Sequence, residues 1–597
     1  MQYQIVTRKA MSFLFLLFIV TGNVEIFSQR LSRDLYVELL VNQAGYLPNA
    51  PKTCVTKGME KRTFNVIDIL TQKVVFSGIL QPESDDFGTW LTGDFSPVTT
   101  EGHYYLKSDT LRSYPFVISG SAYQSPMDLI VHYFSLQRCG ASTTGYLSPC
   151  HLDDGIRMDN GLHQDATGGW HDASDLRKWV EATIYAMIGM SKTLELMPQQ
   201  NRDAIIDELR WGNHYFLNMQ EPQGYVMNYI GGDVKKHSDS NRWTDNEIGP
   251  GGGVLAFVKP NAGKSDADML LRGMSDDRII NTDPLNLAGQ YNFISAEALM
   301  AGITKVADKN YSDKCLNAAL KCFEWCDKLK SKADPGVIGA SMMASLELYK
   351  ITHKESFRTF AAEQARELKK HQAAEGNGNI SGFYFNSLTD REPYKNIWNG
   401  CEELFALCDM VQMFPADKEA AAWKETISNY TRNYLLTIAR KNSFGIVPFG
   451  LFTKEDPGGN KRAGDYWYRY FMPPEAEWWV GINANLASSG IGLLKASVVL
   501  HDPKLKAYAQ KQLDWIIGIN PFNSSTIEGV GYNHPKHFPG STFYPQTPVL
   551  PGAVLNGLGG DHNDQPSIGN GDWQISEYWT PMVSYTLWLM AELSKSE

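Results

Sequence analysis

The chain has 597 residues, too many for one ordinary core, so two or more domains are expected. Its 43% hydrophobic and 20% charged residues are the balance of a soluble globular protein. Its net charge of −11 argues against nucleic acid or an anionic membrane as the main partner.

At the N-terminus, Arg8 and Lys9 precede the apolar run Met11–Val20. That run is too short to span a bilayer and is followed by a polar stretch, the pattern of an export signal over residues 1–28. No Cys follows the run, so nothing points to a lipid anchor. A secreted or periplasmic protein is expected, with no transmembrane segment in the mature chain.

Residues 34–120 form a first domain. LYVELLVN, KTCVTKG, TFNVIDI, KVVFSGIL, TWLTGDF, GHYYLKS and YPFVIS are short, rich in β-branched and aromatic residues, and separated by turn residues. Their number and spacing suit a β-sandwich, and no catalytic cluster lies among them.

Residues 123–597 form a second domain with a helical period. Apolar residues recur at three- and four-residue steps in Pro126–Arg138, Leu176–Leu196, Arg202–Met219, Ala296–Ala307, Tyr311–Lys330 and Ala340–Ile351. They do so again in Glu355–His371, Cys401–Phe414, Ala420–Arg440, Ala484–Leu500, Pro503–Ile517 and Glu577–Leu593. That set suits a double ring of helix hairpins, an (α/α)6 barrel, although another all-α assembly would give a similar pattern. The loops of such a barrel gather at one end, where function usually sits.

Two acidic segments stand out in this domain. In GGWHDASDLRKWV, Gly168 and Gly169 permit a tight turn, Trp170 offers a flat face, and Asp172 and Asp175 can converge on one water. Helix capping by Asp175 is the competing role. Near the C-terminus, GDWQISEYW carries Glu577 beside Trp573, Tyr578 and Trp579. A Glu walled by aromatic rings is poorly solvated, which raises its pKa and favours a proton donor. The competing role is a first-turn Glu complementing a helix dipole. Asp561, Asp564 and Asp572 are candidate organisers of the loop before it. Two carboxylates near one water and a third from far along the chain are what hydrolysis of a glycosidic bond needs. The aromatic complement, 15 Trp, 28 Tyr and 27 Phe, mostly packs cores, but Trp in Gly-rich segments also suits stacking on sugar.

Other candidates are weaker. The loop Gly231–Gly253 could line a cleft through His237 and Trp243, or tie a structural calcium; no metal ligands follow from spacing. Trp467 could form a stacking platform, and Glu402 a cleft-facing acid or a solvent-facing one. Of the eight Cys, most are expected to be buried thiols. Cys139 and Cys150 are the pair able to bridge, and no His completes a zinc-like spacing. Acid–base hydrolysis requires no cofactor.

Several ordered segments together resemble glycoside hydrolase family 9, the cellulase family with an N-terminal immunoglobulin-like domain. VNQAGYLPNAPK and DFSPVTTEGHYYL resemble that family's Ig-like domain. GGWHDASD is similar to its GGWxDAGD signature, with Ser174 in place of Gly. WWVGINANLASSG, LDWIIGINPFNSS and the segment ending in Glu577 resemble further family stretches. The resemblance implies an (α/α)6 barrel and an inverting hydrolase acting on a β-1,4-linked glucan such as cellulose-like, mixed-linkage or xyloglucan chains. It implies Asp175 as general base, Asp172 as its partner in holding water, and Glu577 as general acid. The family's NPPxxPHHR-like segment corresponds here to VGYNHPKHFPGSTFYP, which keeps His534 and His537 as candidate sugar contacts but no HHR cluster. That departure leaves the substrate's identity open. The rival readings are another (α/α)6 hydrolase or lyase of a uronic-acid glycan, and a glycan-binding protein without turnover.

Overall fold

The computed structural model describes residues 38–146, 151, 154–175, 177–197, 202–231, 279–329, 333–374, 380–395, 401–454, 461–539 and 548–595. The expected export signal at 1–28 lies outside the described residues, as do His237, Trp243 and Cys150.

The N-terminal domain contains β1 (Thr53–Lys57), β2 (Arg62–Asp68), β3 (Val74–Asp85), β4 (Gly88–Asp94), β5 (Gly102–Ser108), β6 (Leu111–Arg112) and β7 (Phe116–Ile118). The strand order is β1-β4-β3-β2-β5-β6, with β7 also on β5. The long β3 pairs its first half with β2 and its second half with β4, so one strand serves both parts of the fold. Alternate residues point inward, as strand geometry dictates: Phe64 and Val66 of β2 and Tyr104 and Leu106 of β5 are buried. Tyr46 anchors this core between Phe95 and Phe116, with ring centroids 5.3 and 5.5 Å away. The first expected strand, LYVELLVN, is reduced to a bridge between Leu40 and Val55. Its end turns away because Asn42 and Gln43 bond to the helical domain.

The helical domain begins with α1 (Gln124–Leu136), α2 (Val180–Leu196), α3 (Asp203–Asn218), α4 (Leu287–Thr304), α5 (Lys309–Asp327), α6 (Pro335–Thr352) and α7 (Glu355–His371). It continues with α8 (Glu402–Met413), α9 (Ala420–Ser428), α10 (Leu436–Ala439), α11 (Asn483–Leu500), α12 (Pro503–Ile516), α13 (Trp573–Ser576) and α14 (Thr580–Lys595). Helix α2 packs on α4, α4 on α6, α6 on α8, α8 on α11, α11 on α14, and α14 back on α2. A second set packs outside this ring: α3 on α2, α5 on α4, α7 on α6, α9 on α8, α12 on α11 and α1 on α14. Composition explains the two sets. Helices α2, α4, α6 and α11 are buried on nearly every face and rich in Ala, Gly and Ser. By contrast, α7 buries the single stripe Phe357, Ala361, Ala365 and Leu368.

Several expected boundaries differ, among them the start of α6, at Pro335 rather than Ala340. Helix α2 starts at Val180, because Lys178–Trp179 instead form β9, paired with β10 (Met227–Gly231). Helix α4 starts at Leu287, capped by the Asn286 side chain on the Gly289 N–H at 2.8 Å. Its first turns, LAGQYNF, have no polar face and so leave no amphipathic pattern. A π-helical turn at Asn429–Leu435 separates α9 from α10. Helix α14 begins at Thr580, just before Pro581, whose ring suits a helix start. Small sheets also appear where no strands were expected. The one joining β8 (Ile156–Arg157), β11 (Ile279–Pro284), β10 and β9 lies beside the first acidic segment.

The two domains share a core. Leu40, Val55, Phe87 and Trp90 join the hydrophobic cluster of the helical domain. The β3–β4 turn is the plug: the Phe87 ring lies 4.8 Å from Tyr470, and Trp90 lies 4.9 Å from Phe444. The Asp86 carboxylate accepts from the hydroxyls of Tyr468 at 2.6 Å and Tyr470 at 2.8 Å. Asp86→Ala would strip both phenols of this acceptor. It is expected to destabilise the protein by roughly 2–4 kcal/mol, read as a lower denaturant midpoint; an unchanged midpoint would contradict the plug.

Candidate active site

The first acidic segment is an irregular loop held from below. Gly168 and Gly169 have φ of +80° and +77°. A side chain on Gly169 would also meet Tyr215 at 2.9 Å, so the expected glycine turn is present and enforced twice. Trp170 is not a sugar platform. Its side chain is 1% exposed, packs on Gly212 of α3 and donates to Glu208 at 2.7 Å. A large ring bonded inside the core fixes the loop and has no face left for a ligand. The loop is also tied to the end of α1, where Cys139 N–H donates to the Gly169 carbonyl and His171 N–H to the Gln137 carbonyl.

Lys178 is the central strut. Fully buried, it donates to the carbonyls of Ala166 at 2.8 Å and Gly168 at 3.2 Å, and lies 2.6 Å from the Asp154 carboxylate. Asp154 also meets His151 Nδ1 at 2.8 Å. Burial opposes ionisation of Asp154, but His151 and Lys178 outweigh it and hold its pKa below the usual range.

The two acidic segments meet. The Asp172 carbonyl accepts from Thr580 N–H at 3.0 Å and Thr580 Oγ1 at 2.9 Å. Ser174 Oγ donates to Glu577 Oε1 across a separation of 403 residues. Glu577 lies in extended backbone between α13 and α14, not in a first helical turn. Its N–H donates to the Trp573 carbonyl, and its own carbonyl accepts from Asn556 N–H at 2.7 Å. The carboxyl is therefore aimed by chain on both sides, and complementing a helix dipole is not its role.

Asp172 and Asp175 have different surroundings. Asp172 is 6% exposed and Asp175 is half-buried. Asp172 Oδ1 accepts from Trp179 N–H at 3.1 Å. Asp175 Oδ1 accepts from Arg177 N–H at 3.3 Å, ahead of a strand, so it does not cap α2. Burial, then the charge of Asp175, push the Asp172 pKa well above the usual carboxylate range. The Trp179 N–H and Arg177 offset part of this, and Glu577 adds to it.

The aromatic surroundings of Glu577 are partly as expected. Trp573 is half-buried and forms a cluster with Trp478 and Trp579, with centroids 5.9–6.5 Å apart. Tyr578 is 1% exposed and packs edge-on against Tyr133, so it belongs to the core; the alternation of extended backbone turns it inward. Trp478 and the stacked pair Trp179 and Tyr229, 4.7 Å apart, were not singled out from sequence. The Trp doublet in WWVGINAN was the available signal for the first.

His534 and His537 are half-buried and face Glu528, whose pKa is raised by burial and pulled back by both histidines. A side chain on Gly571 would meet the His537 carbonyl at 2.9 Å, so this segment lies against the turn leading to α13. Trp467 lies in β12 (Tyr466–Arg469), half-buried, with the Arg462 guanidinium 4.5 Å from its ring. The three loop Asp act as organisers. Asp564 accepts from the N–H groups of Tyr470 and Phe471, Asp561 from Asn563 and Gln565, and Asp572 from Asn570. Glu402 is 1% exposed and accepts from Tyr585, a core acid rather than a cleft or solvent-facing one.

Among the described residues, Cys139, His151 and His171 bring one ligand atom each within 4.8 Å of the others. All three are buried. A thiol and two imidazoles are a zinc-type donor set, and the Asp154 contact on His151 Nδ1 is the usual orienting partner. The sequence spacing concealed this group because its members are spread over a loop, not a short motif.

A carboxyl whose folded pKa exceeds its unfolded value near 3.9 holds its proton more tightly in the native state. Native stability therefore falls as pH rises between those values. Asp172→Asn removes that penalty and keeps an acceptor for Trp179. It is expected to raise Tm by about 1–3 °C at pH 7, with the gain vanishing below about pH 4. Thermal unfolding across pH checks this; a loss of stability at pH 7 would contradict it.

Comparison with known proteins places these features. The model for Glycosyl hydrolase family 9 matches residues 123–590. The model for the cellulase N-terminal ig-like domain matches residues 37–113. Endoglucanase D of Acetivibrio thermocellus is 26% identical over 397 residues, covering 60% of this chain and 58% of its own. The chain thus spans little more than half the length of that curated relative. Two solved structures share the fold. A metagenome-derived family 9 endoglucanase has a TM-score of 0.65 at 19% identity, covering 94% of this chain and 99% of its own. A thermostable endoglucanase from Alicyclobacillus acidocaldarius has a TM-score of 0.64 at 17% identity, covering 93% and 99%.

Proposed function

The chain belongs to glycosyl hydrolase family 9, and from that membership and the meeting of its acids we propose a secreted, inverting hydrolase of β-1,4-linked glucan chains. The observation that carries the reading is the junction of the two acidic segments through Asp172–Thr580 and Ser174–Glu577. We read the ring of α2, α4, α6, α8, α11 and α14 as the inner wall of an (α/α)6 barrel, supported by its closed order of packing. The Ig-like domain, residues 34–120, is a structural support for the barrel at 123–597. Export through residues 1–28 is part of the proposal; among the described residues no helix is long and apolar enough to cross a membrane.

Asp175 is the general base. Two carboxylates sharing a site cannot both ionise easily, and burial favours the protonated form of Asp172. The negative charge of the pair therefore rests on Asp175, the more exposed member, where it can take a proton from water. Asp172 helps hold that water. Glu577 is the general acid: its low exposure disfavours the anion, so it keeps a proton for the leaving oxygen. Water attacks the anomeric carbon from the face opposite the leaving group, which inverts that centre and needs roughly 6.5–9.5 Å between acid and base. The half-buried rings of Trp478, Trp573 and Trp579 supply flat faces for glucosyl units. The chemistry asks for no cofactor.

The test is a chromatographic product profile on β-glucans, xyloglucan, β-mannan, xylan and chito-oligosaccharides. A ladder of oligomers from a β-1,4-glucan is expected. Glu577→Gln and Asp175→Asn should each lose roughly 10²–10⁴-fold of that activity without unfolding, and Asp172→Asn somewhat less. Products absorbing in the ultraviolet would indicate a lyase instead. Oligosaccharide binding without turnover would indicate a binding protein.

A further inference from the structure

Ser174 stands where the family signature carries Gly, and its side chain is put to use. It is fully buried between Asp172 and Asp175, and its hydroxyl donates to Glu577 Oε1. We propose that Ser174 is a positioning residue that engages Oε1 of Glu577, so that Oε2 is the oxygen carrying the proton to the departing glycosidic oxygen. The inference rests on Glu577 being the general acid.

The geometry supports this in three steps. A carboxyl between two flexible links can turn about its last bond and present either oxygen. Here the backbone on both sides of Glu577 is fixed by Asn556 and Trp573, and the hydrogen bond from Ser174 restrains the carboxyl at Oε1. The loop bearing Ser174 is itself held, since the Ala173 carbonyl accepts from Gln137 at 2.8 Å and the Asp172 carbonyl accepts from Thr580. During cleavage the Oε2–H bond breaks as the proton passes to the glycosidic oxygen. The electron pair of the breaking C–O bond stays on that oxygen, and Glu577 becomes a carboxylate. The Ser174 hydroxyl then donates to a charged acceptor, a stronger bond than to the neutral acid. The tie thus favours the product side of the proton transfer and makes Glu577 a stronger acid than burial alone would leave it.

Other groups acting on Glu577 include Asp172, which Asp175 and Arg177 influence in turn, and Tyr133 from α1. His534 and His537 act on Glu528. Ser174→Ala leaves all of these in place, so it isolates the hydroxyl. Activity of a general acid is lost as pH rises through its pKa. Removing a donor to its anion raises that pKa, so the basic limb of the kcat/KM profile is expected to move up by about one pH unit. On cello-oligosaccharides kcat should fall several-fold. On an aryl glycoside whose leaving group departs without a proton, it should be unchanged. Ser174→Gly, the residue of the family signature, provides a second variant that the loop accommodates, with the limb moved in the same direction. The Glu577 carboxyl titration should move with it, isolated as the infrared difference between S174A and S174A/E577Q.

An unmoved basic limb in an active S174A protein overturns the role of Ser174 alone. So does an equal loss of kcat on both substrates with the limb unmoved, which is the mark of a merely structural part. Absence of hydrolysis by the unmodified protein overturns the proposed function itself.

Discussion

The carbonyl oxygen of Asp172 joins distant parts of the helical domain. It accepts two hydrogen bonds from Thr580, the first residue of α14. The acid loop near the start of the domain and the helix that ends it are therefore placed by one atom. Thr580 lies three residues beyond Glu577, so whatever fixes the helix start also fixes the acid. The contact between Ser174 and Glu577 completes the junction. Packing of α14 on α2 closes the helix ring at the same place, so the closure that stabilises the fold is also the closure that assembles the site.

An irregular loop has few ladder hydrogen bonds of its own, and this one replaces them with side chains from below. Lys178 collects two carbonyls and a carboxylate, Trp170 reaches Glu208, and Gln137 reaches Ala173. A buried lysine beside a buried aspartate is costly to desolvate. Removing either partner would leave an uncompensated charge, at a cost on the order of 3–5 kcal/mol. The arrangement therefore resists loss of one member more than it adds net stability. What it supplies is a rigid loop, which acid–base chemistry needs because a proton must pass over a short fixed distance.

Some of this was legible in the sequence and some was not. The two acidic segments and their glycine turn stand out because Gly and Asp have few reasons to cluster in a helical domain. Six of the seven expected strands of the first domain appear, five with close boundaries and β3 running on past Leu80 to Asp85, since turn residues mark most of their ends. Helix α4 begins earlier than its pattern suggests because a helix buried on all sides has no polar face to reveal it. Trp170 and Tyr578 look like sugar platforms by residue type, yet both are core, because only the fold decides which way an aromatic ring faces. The group of Cys139, His151 and His171 escaped a spacing test because a loop, unlike a short metal motif, can gather donors from distant positions. Ser174 was visible as a departure from a signature, but its contact with Glu577 needed coordinates.

The central claim is that Asp175 and Glu577 act on opposite faces of the scissile bond. Real-time proton NMR of a cello-oligosaccharide during hydrolysis tests it most directly, by reading the anomer released before mutarotation. The account predicts the α-anomer at the newly formed reducing end. Initial release of the β-anomer would mean retention, and would contradict both the water-activating role of Asp175 and the geometry built around it.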